Sequence, residues 1–180
     1  LTATGDVGST CTVTATKAQS TNHNAATSAT KTITVIDRAI TVTATAVSKT
    51  YGESDPTFAY AITSGALVSG DTLAGALGRT SGENVGSYAI SQGTLANSNY
   101  AITFVSADLT IDARPLTIAA TNRTKTFGDA DPSLAYTITT GSLVGSDALT
   151  GSVSRNSGEN IGNYVIGQGT LANSNYAITF

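Results

Sequence analysis

The chain has no methionine, one cysteine, one histidine and three prolines in 180 residues. Each shortage excludes something. A lone thiol, Cys11, cannot close an internal disulfide. It stands in the alternating run Thr10-Cys11-Thr12-Val13-Thr14, which predicts a small buried residue. A lone histidine, His23, lies in the polar stretch Ser20-Thr21-Asn22-His23-Asn24, so no Ser–His or Cys–His relay can recur along the chain. It reads as a surface-loop residue. Charge is also scarce: nine Lys and Arg stand against twelve Asp and Glu, a net charge of −3. The basic residues are scattered singly, which excludes a basic face for phosphate backbones or an anionic membrane surface. No apolar run approaches the ~20 residues of a membrane-spanning helix. No glycine-rich loop follows a strand and opens a helix, as phosphate binding would need. No targeting segment is present. The chain opens at Leu1 inside a strand-like pattern, so it is expected to be a window from a longer protein, and that absence carries no weight.

What the chain does have is a repeat. Ser81 to Phe104 reads SGENVGSYAISQGTLANSNYAITF, and Ser157 to Phe180 reads SGENIGNYVIGQGTLANSNYAITF. Gly93–Phe104 and Gly169–Phe180 are identical. The offset is constant: Tyr51-Gly52 faces Phe127-Gly128 (127 − 51 = 76), and Phe104 faces Phe180 (180 − 104 = 76). A fixed period of this kind marks tandem modules. Substitutions between the copies keep their chemistry, as in Phe58 to Leu134, Leu77 to Val153 and Val85 to Ile161.

Thr, Ser, Ala, Gly and Asn dominate, a composition suited to strands and turns. Period-two alternation predicts strands at Thr10–Thr16, Thr30–Ile36, Ile40–Ala44, Phe58–Ile62, Leu73–Leu77, Tyr88–Ile90 and Tyr100–Phe104. Past Phe104 the alternation shifts to Ala107, Leu109 and Ile111, which predicts a bulge near Val105. No stretch holds helical spacing over three turns. Three segments follow: residues 1–37, an incomplete module; 38–112, a complete repeat; and 113–180, a second repeat lacking its last strand. The seams Ile36-Asp37-Arg38 and Ile111-Asp112-Ala113-Arg114 contain no Gly/Ser- or Pro-rich linker. Tight seams limit the angles that neighbours can adopt.

The recurring Tyr and Ile positions, including Tyr60, Tyr88 and Tyr100, are expected in the core, not as a sugar-stacking platform. The recurring acids, Glu53/Asp129, Asp55/Asp131, Asp71/Asp147 and Glu83/Glu159, are expected to cap turns. Asp129-Ala130-Asp131-Pro132, with Asp108 and Asp112 at the seam, offers oxygen donors that suit a junctional Ca²⁺. An EF-hand-like ligand series is absent, so Asp108, Asp112, Asp129 and Asp131 are weak metal candidates and no cofactor is expected. Lys49/Lys125 and Asn99/Asn175 recur as well. A covalent Lys–Asn link needs both buried beside a carboxyl group; lysines snorkelling at the surface are the expected reading.

Taken together, the motif Tyr51-Gly52-x-x-Asp55-Pro56, Gly65-x-Leu67, Asp71-x-Leu73-x-Gly75, Gly86-x-Tyr88-x-Ile90, Gly93-Thr94-Leu95, Asn99-Tyr100-x-Ile102-x-Phe104 and Leu109-Thr110-Ile111 resembles the YGX-type MBG domain of large bacterial surface proteins. The resemblance covers residues 38–180. The second copy matches at Gly128, Asp131-Pro132, Asp147, Gly151, Tyr164 and Asn175-Tyr176, with Phe127 in place of the signature Tyr. Residues 1–37 resemble the last two strands of a bacterial Ig-like domain. The resemblance implies a tandem extracellular repeat at a bacterial cell surface and supplies no catalytic residues.

The expected fold is all-β: tandem antiparallel modules, Ig-like sandwiches set end to end, with β-grasp-like modules as the alternative. The leading function is a stalk or spacer in an adhesin-like protein, partnered by neighbouring modules. A glycan- or mucin-binding module and a filament subunit assembled by strand addition are the alternatives. No enzyme activity, nucleic-acid partner or membrane insertion is expected.

Overall fold

The structure, a computed structural model, describes Gly8 and residues 10–180. The strand-like opening of the chain, with Val7 and Ser9, lies outside the described residues. Among the described residues there are strands and turns but no helix. Residues before the first repeat carry β1 (Thr10–Val13), β2 (Thr16–Lys17), β3 (Ala26–Thr27) and β4 (Lys31–Thr34). The first repeat carries β5 (Arg38–Ala44), β6 (Val47–Thr50), β7 (Tyr60–Ser64), β8 (Gly78–Arg79), β9 (Gly86–Ser91), β10 (Tyr100–Val105) and β11 (Asp108–Asp112). The second carries β12 (Arg114–Ala120), β13 (Tyr136–Thr140), β14 (Ser154–Arg155), β15 (Ile166–Gly167) and β16 (Tyr176–Thr179).

The all-β expectation holds, but its antiparallel part needs correction. In the first repeat β5 lies between β10, which runs parallel to it, and β7, which runs antiparallel. The second repeat copies this with β12 between parallel β16 and antiparallel β13. A second sheet in the first repeat has β11 between parallel β6 and antiparallel β9, with β8 beyond β9. Parallel neighbours need a crossover, usually a helix. Here the crossover is itself made of strands and turns.

The predicted bulge near Val105 is instead a change of sheet. The chain leaves β10 at Val105, passes Ser106 and Ala107, and enters another sheet as β11. The phase of the alternation flips there because the buried face flips. Strand β6 was not expected. Its segment Val47-Ser48-Lys49-Thr50 carries one apolar residue and no alternation, and its pairing with β11 decides its conformation.

Compactness does not follow the repeats. One unit takes in the chain up to Thr45, Phe58–Gly78 and Ser91–Ala107; the other takes Ala46–Thr57, Arg79–Ile90 and Asp108–Phe180. The expected limits at 37/38 and 112/113 are boundaries of the sequence repeat. In the first unit Ile40, Val42, Leu95 and Tyr100 form the buried cluster, with Ile62, Leu73 and Phe104 against it. In the second unit Leu116, Ile118, Val153, Leu171 and Tyr176 form the matching cluster. Tyr51, from the first repeat, packs on this second cluster.

Two burial expectations are corrected. Tyr60 is exposed, and Cys11 is only half-buried opposite Ile33. β1 and β4 form a two-stranded sheet, too thin to cover a side chain on both faces.

Candidate functional site

Each repeat builds a ring of four charges. In the first, Lys49 on β6, Asp55 in the following turn, Arg79 on β8 and Glu83 in the next turn converge. Lys49 Nζ donates to Asp55 Oδ1 at 2.7 Å and to Glu83 Oε2 at 2.6 Å. Arg79 Nε donates to Asp55 Oδ2, and Arg79 Nη2 donates to Glu83. Lys125, Asp131, Arg155 and Glu159 repeat the ring 76 residues on (125 − 49). Lys49 therefore corrects the surface-lysine reading: its side chain is 3% exposed. A buried ammonium is tolerated because two carboxylates face it. Lys125 is less covered, with its side chain 21% exposed.

The charges move each other's titration. Burial alone would lower the Lys49 pKa; its hydrogen bonds to Asp55 and Glu83, aided by their charges, outweigh that and hold it above 10.5. Hydrogen bonds from Arg79, then from Lys49, hold Asp55 below its ordinary 3.8. The equivalent bonds from Arg155 and Lys125 hold Asp131 at about 2. Every member of the ring is paired, so the arrangement offers no free acid or base. What it does is fasten a loop. Arg79 Nη1 donates to the carbonyls of Thr80 and Gly82, and the guanidinium lies over the Tyr88 ring, 5.3 Å from its centroid. Tyr88 in turn donates to the Asn84 carbonyl. Tyr88 is thus a cation–π platform, only half-buried, where the alternation predicted a core residue.

The fastened loop and the Tyr51-Gly52 turn both contact the second repeat. Tyr51 Oη donates to Asp147 Oδ2 at 2.9 Å, and Tyr176 Oη donates to the same oxygen at 2.7 Å. The two rings meet edge to face, with centroids 5.6 Å apart and planes at 75°. Burial and the Asp147 hydrogen bond raise the Tyr176 pKa, and the bond to Asp147 raises that of Tyr51, so both phenols stay protonated donors. Arg114 Nη1 donates to the Tyr51 carbonyl, and Val144 N–H donates to Tyr176 Oη. Asn175 closes the other side: its Oδ1 accepts from Val85 N–H and its Nδ2 donates to Asn84 Oδ1, both at 3.0 Å.

Gly52 completes the joint. Its φ is +85°, and a Cβ there would sit 2.4 Å from Val144 Cγ2. Gly128 has a similar φ of +92° but would meet nothing within 4 Å. The glycine at the first position is therefore fixed by backbone and by close approach, and at the second by backbone alone.

The remaining expected residues fall apart from one another. Among the described residues no three His, Cys, Asp or Glu side chains converge. Asp108 and Asp112 bound β11, Asp129 donates its N–H to the Thr126 carbonyl in a turn, and both Asp131 oxygens accept from Arg155. Asp71 and Asp147 accept from buried tyrosines. His23 bridges Ser20 in an exposed turn. Asn175 bonds Asn84 and Val85, while Lys125 bonds the Asp129 carbonyl, Asp131 and Glu159. The rings themselves were not foreseen. Their signal was four charges of alternating sign returning at the repeat period while neighbouring Ser and Thr positions changed.

Two helix-free repeats, each with a charge ring, joined through an aromatic–glycine turn, define a tandem all-β repeat protein. The chain belongs to the YGX-type MBG domain family, whose model matches residues 40–110 and 116–180. No curated protein and no solved structure shows a significant match to it. Domains of this family occur in bacterial surface proteins, and the chain is a repeat of that kind. Among the described residues no helix is long and apolar enough to cross a membrane.

Two outcomes test the joint and the rings. Gly52→Ala and Gly128→Ala both force alanine into left-handed backbone, at about 1–2 kcal/mol each. Only Gly52→Ala also displaces Val144, which adds roughly 1–3 kcal/mol, and Val144→Ala in the same chain should return part of that. Urea unfolding reads the difference; equal costs at both glycines would refute the contact. The rings have a pH signature. Their carboxylates are depressed in the folded chain, so the stability they contribute is present above the ordinary 3.8 of Asp131 and is lost as pH falls toward about 2. Melting midpoints should decline through that window, and Asp131→Asn should flatten the decline.

Proposed function

We propose that the chain is a spacer or stalk segment of a large extracellular protein at a bacterial cell surface, and that it acts by geometry without catalysis. One observation carries this reading: Tyr51 and Gly52 of one repeat are seated on Val144, Asp147 and Tyr176 of the next, with a single residue, Ala113, between β11 and β12. Two modules joined by a flexible linker would sample many angles. Here a shared carboxylate, an aromatic edge and an asparagine clasp tie residues 46–57 and 79–90 of the first repeat to the second. Stacked repeats that contact only their neighbours form extended arrays, which is what projecting a distal domain requires.

The glycan-binding alternative ranks second. Sugar stacking needs open aromatic faces. Tyr100 and Tyr176 are buried, and Tyr88 and Tyr164 each have an arginine over the ring, which leaves Tyr60, Phe127 and Phe180 as exposed aromatics at separate places in the sequence. The partners expected of a stalk are its own neighbouring modules. Small-angle scattering tests the proposal. A stalk gives an elongated particle, and its maximum dimension should grow by a constant step when another copy of one full period, residues 38–113, is inserted. A compact particle, or growth that scales with the cube root of mass, would contradict it.

A further inference from the structure

The chain enters the first repeat at Arg38, the start of β5, and leaves it at Asp112, the end of β11. A repeat with chain on both sides is pulled at those two points. Both loaded strands have parallel partners. β5 pairs with β10 from Arg38↔Tyr100 to Thr43↔Val105, and β11 pairs with β6 from Leu109↔Val47 to Asp112↔Thr50. Antiparallel β7 and β9 pair with their other sides.

The connections cross. β5 runs into β6 through Thr45 and Ala46, and β10 runs into β11 through Ser106 and Ala107. The strand pulled at its N-terminal end is therefore held by the one that feeds the exit. The strand pulled at its C-terminal end is held by the one that the entry feeds. In each pair one member is drawn toward its N-terminus and the other toward its C-terminus. Parallel partners drawn this way must slide along each other, so the evenly spaced bonds of the ladder share the pull and break together. An antiparallel pair drawn from the same termini would take both pulls at one end and open one bond at a time.

The ladders also reach the points of attachment. Arg38 N–H donates to the Asn99 carbonyl at 3.0 Å, and Tyr51 N–H donates to the Asp112 carbonyl at 2.9 Å. Pairing thus begins with the first residue of β5 and continues to the last of β11. Val42, Leu109 and Ile111 are fully buried, which places the ladders where hydrogen bonds are stronger than in water. The second repeat opens in the same way: Arg114 N–H donates to the Asn175 carbonyl, and β12 pairs in parallel with β16. Ala113 alone separates β11 from β12, so no linker can extend between one repeat's ladder and the next.

We propose that the repeat is a tension-bearing unit, whose two parallel ladders form a clamp loaded in shear between Arg38 and Asp112. The use of this clamp rests on the stalk reading, since a stalk carries whatever pull its distal domain meets. The clamp itself follows from strand order and is measured without reference to particle shape.

Stretching single molecules of the full chain in an optical trap tests the proposal, with handles attached through introduced thiols in a Cys11→Ser background. One variant carries Asp37→Cys and Asp112→Cys and is pulled along the natural path. The other carries Asp37→Cys and Ser98→Cys, which puts both handles at the same end of the pair β5 and β10 and opens it bond by bond. All three attachment positions are exposed. At equal pulling speed the first geometry should rupture at several-fold higher force, because forced unfolding reads the barrier and not the equilibrium stability. It should release 112 − 37 = 75 residues in one step. A force no higher than in the second geometry overturns the proposal, as does release in small successive steps. Either result leaves the stalk reading to the scattering measurement, whereas a compact particle with a strong clamp would contradict the stalk alone.

Discussion

One carboxylate oxygen holds the joint together. Asp147 Oδ2 accepts from Tyr176 of its own repeat and from Tyr51 of the repeat before it. Within a repeat, the Tyr–Asp bond ties a core tyrosine to the loop that precedes it, and the pair Tyr100–Asp71 shows it in the first repeat as well. Adding the second tyrosine turns an internal fastening into a link between repeats. The oxygen can serve two donors because both phenols are held protonated and neither competes with a cation there. The aromatic edge contact and the Gly52 approach follow from placing the second ring at that oxygen.

The charge ring belongs to the same arrangement at one remove. The hydrogen bonds of Lys49 and Arg79 stay within their own repeat. The ring fixes the loop from Thr80 to Tyr88, and that loop presents Asn84 and Val85 to Asn175. Exposed ion pairs contribute little to stability on their own. Lys49 differs because it is buried, so losing a carboxylate from its ring would leave charge in a poorly hydrated place. The second repeat keeps the ring with Lys125 more open, and it carries Phe127 where the first carries Tyr51.

Much of this is legible in the sequence. The constant period fixed the repeats, and period-two alternation located most strands and the Tyr100 and Tyr176 core positions. The rest was hidden for physical reasons. Parallel pairing leaves no mark when the crossover contains no helix, because alternation shows which face is buried and not which strand lies beside it. Lys49 reads as surface because burial of an ammonium depends on partners far along the chain, here Glu83. Tyr51 reads only as part of a turn and a motif, yet it packs half-buried on the next repeat's core, because its hydroxyl partner lies 96 residues away. Tyr88 has core-like spacing because the strand's inner face there carries an arginine.

A double-mutant cycle between Tyr51 and Asp147 tests the central claim most directly. Tyr51→Phe, Asp147→Asn and the double variant would be unfolded in urea, and the coupling taken from the four stabilities. A hydrogen bond that links the repeats predicts a coupling of about 1 kcal/mol or more. Additive single effects, with no coupling beyond error, would mean that the two repeats are neighbours in sequence without being joined at this carboxylate.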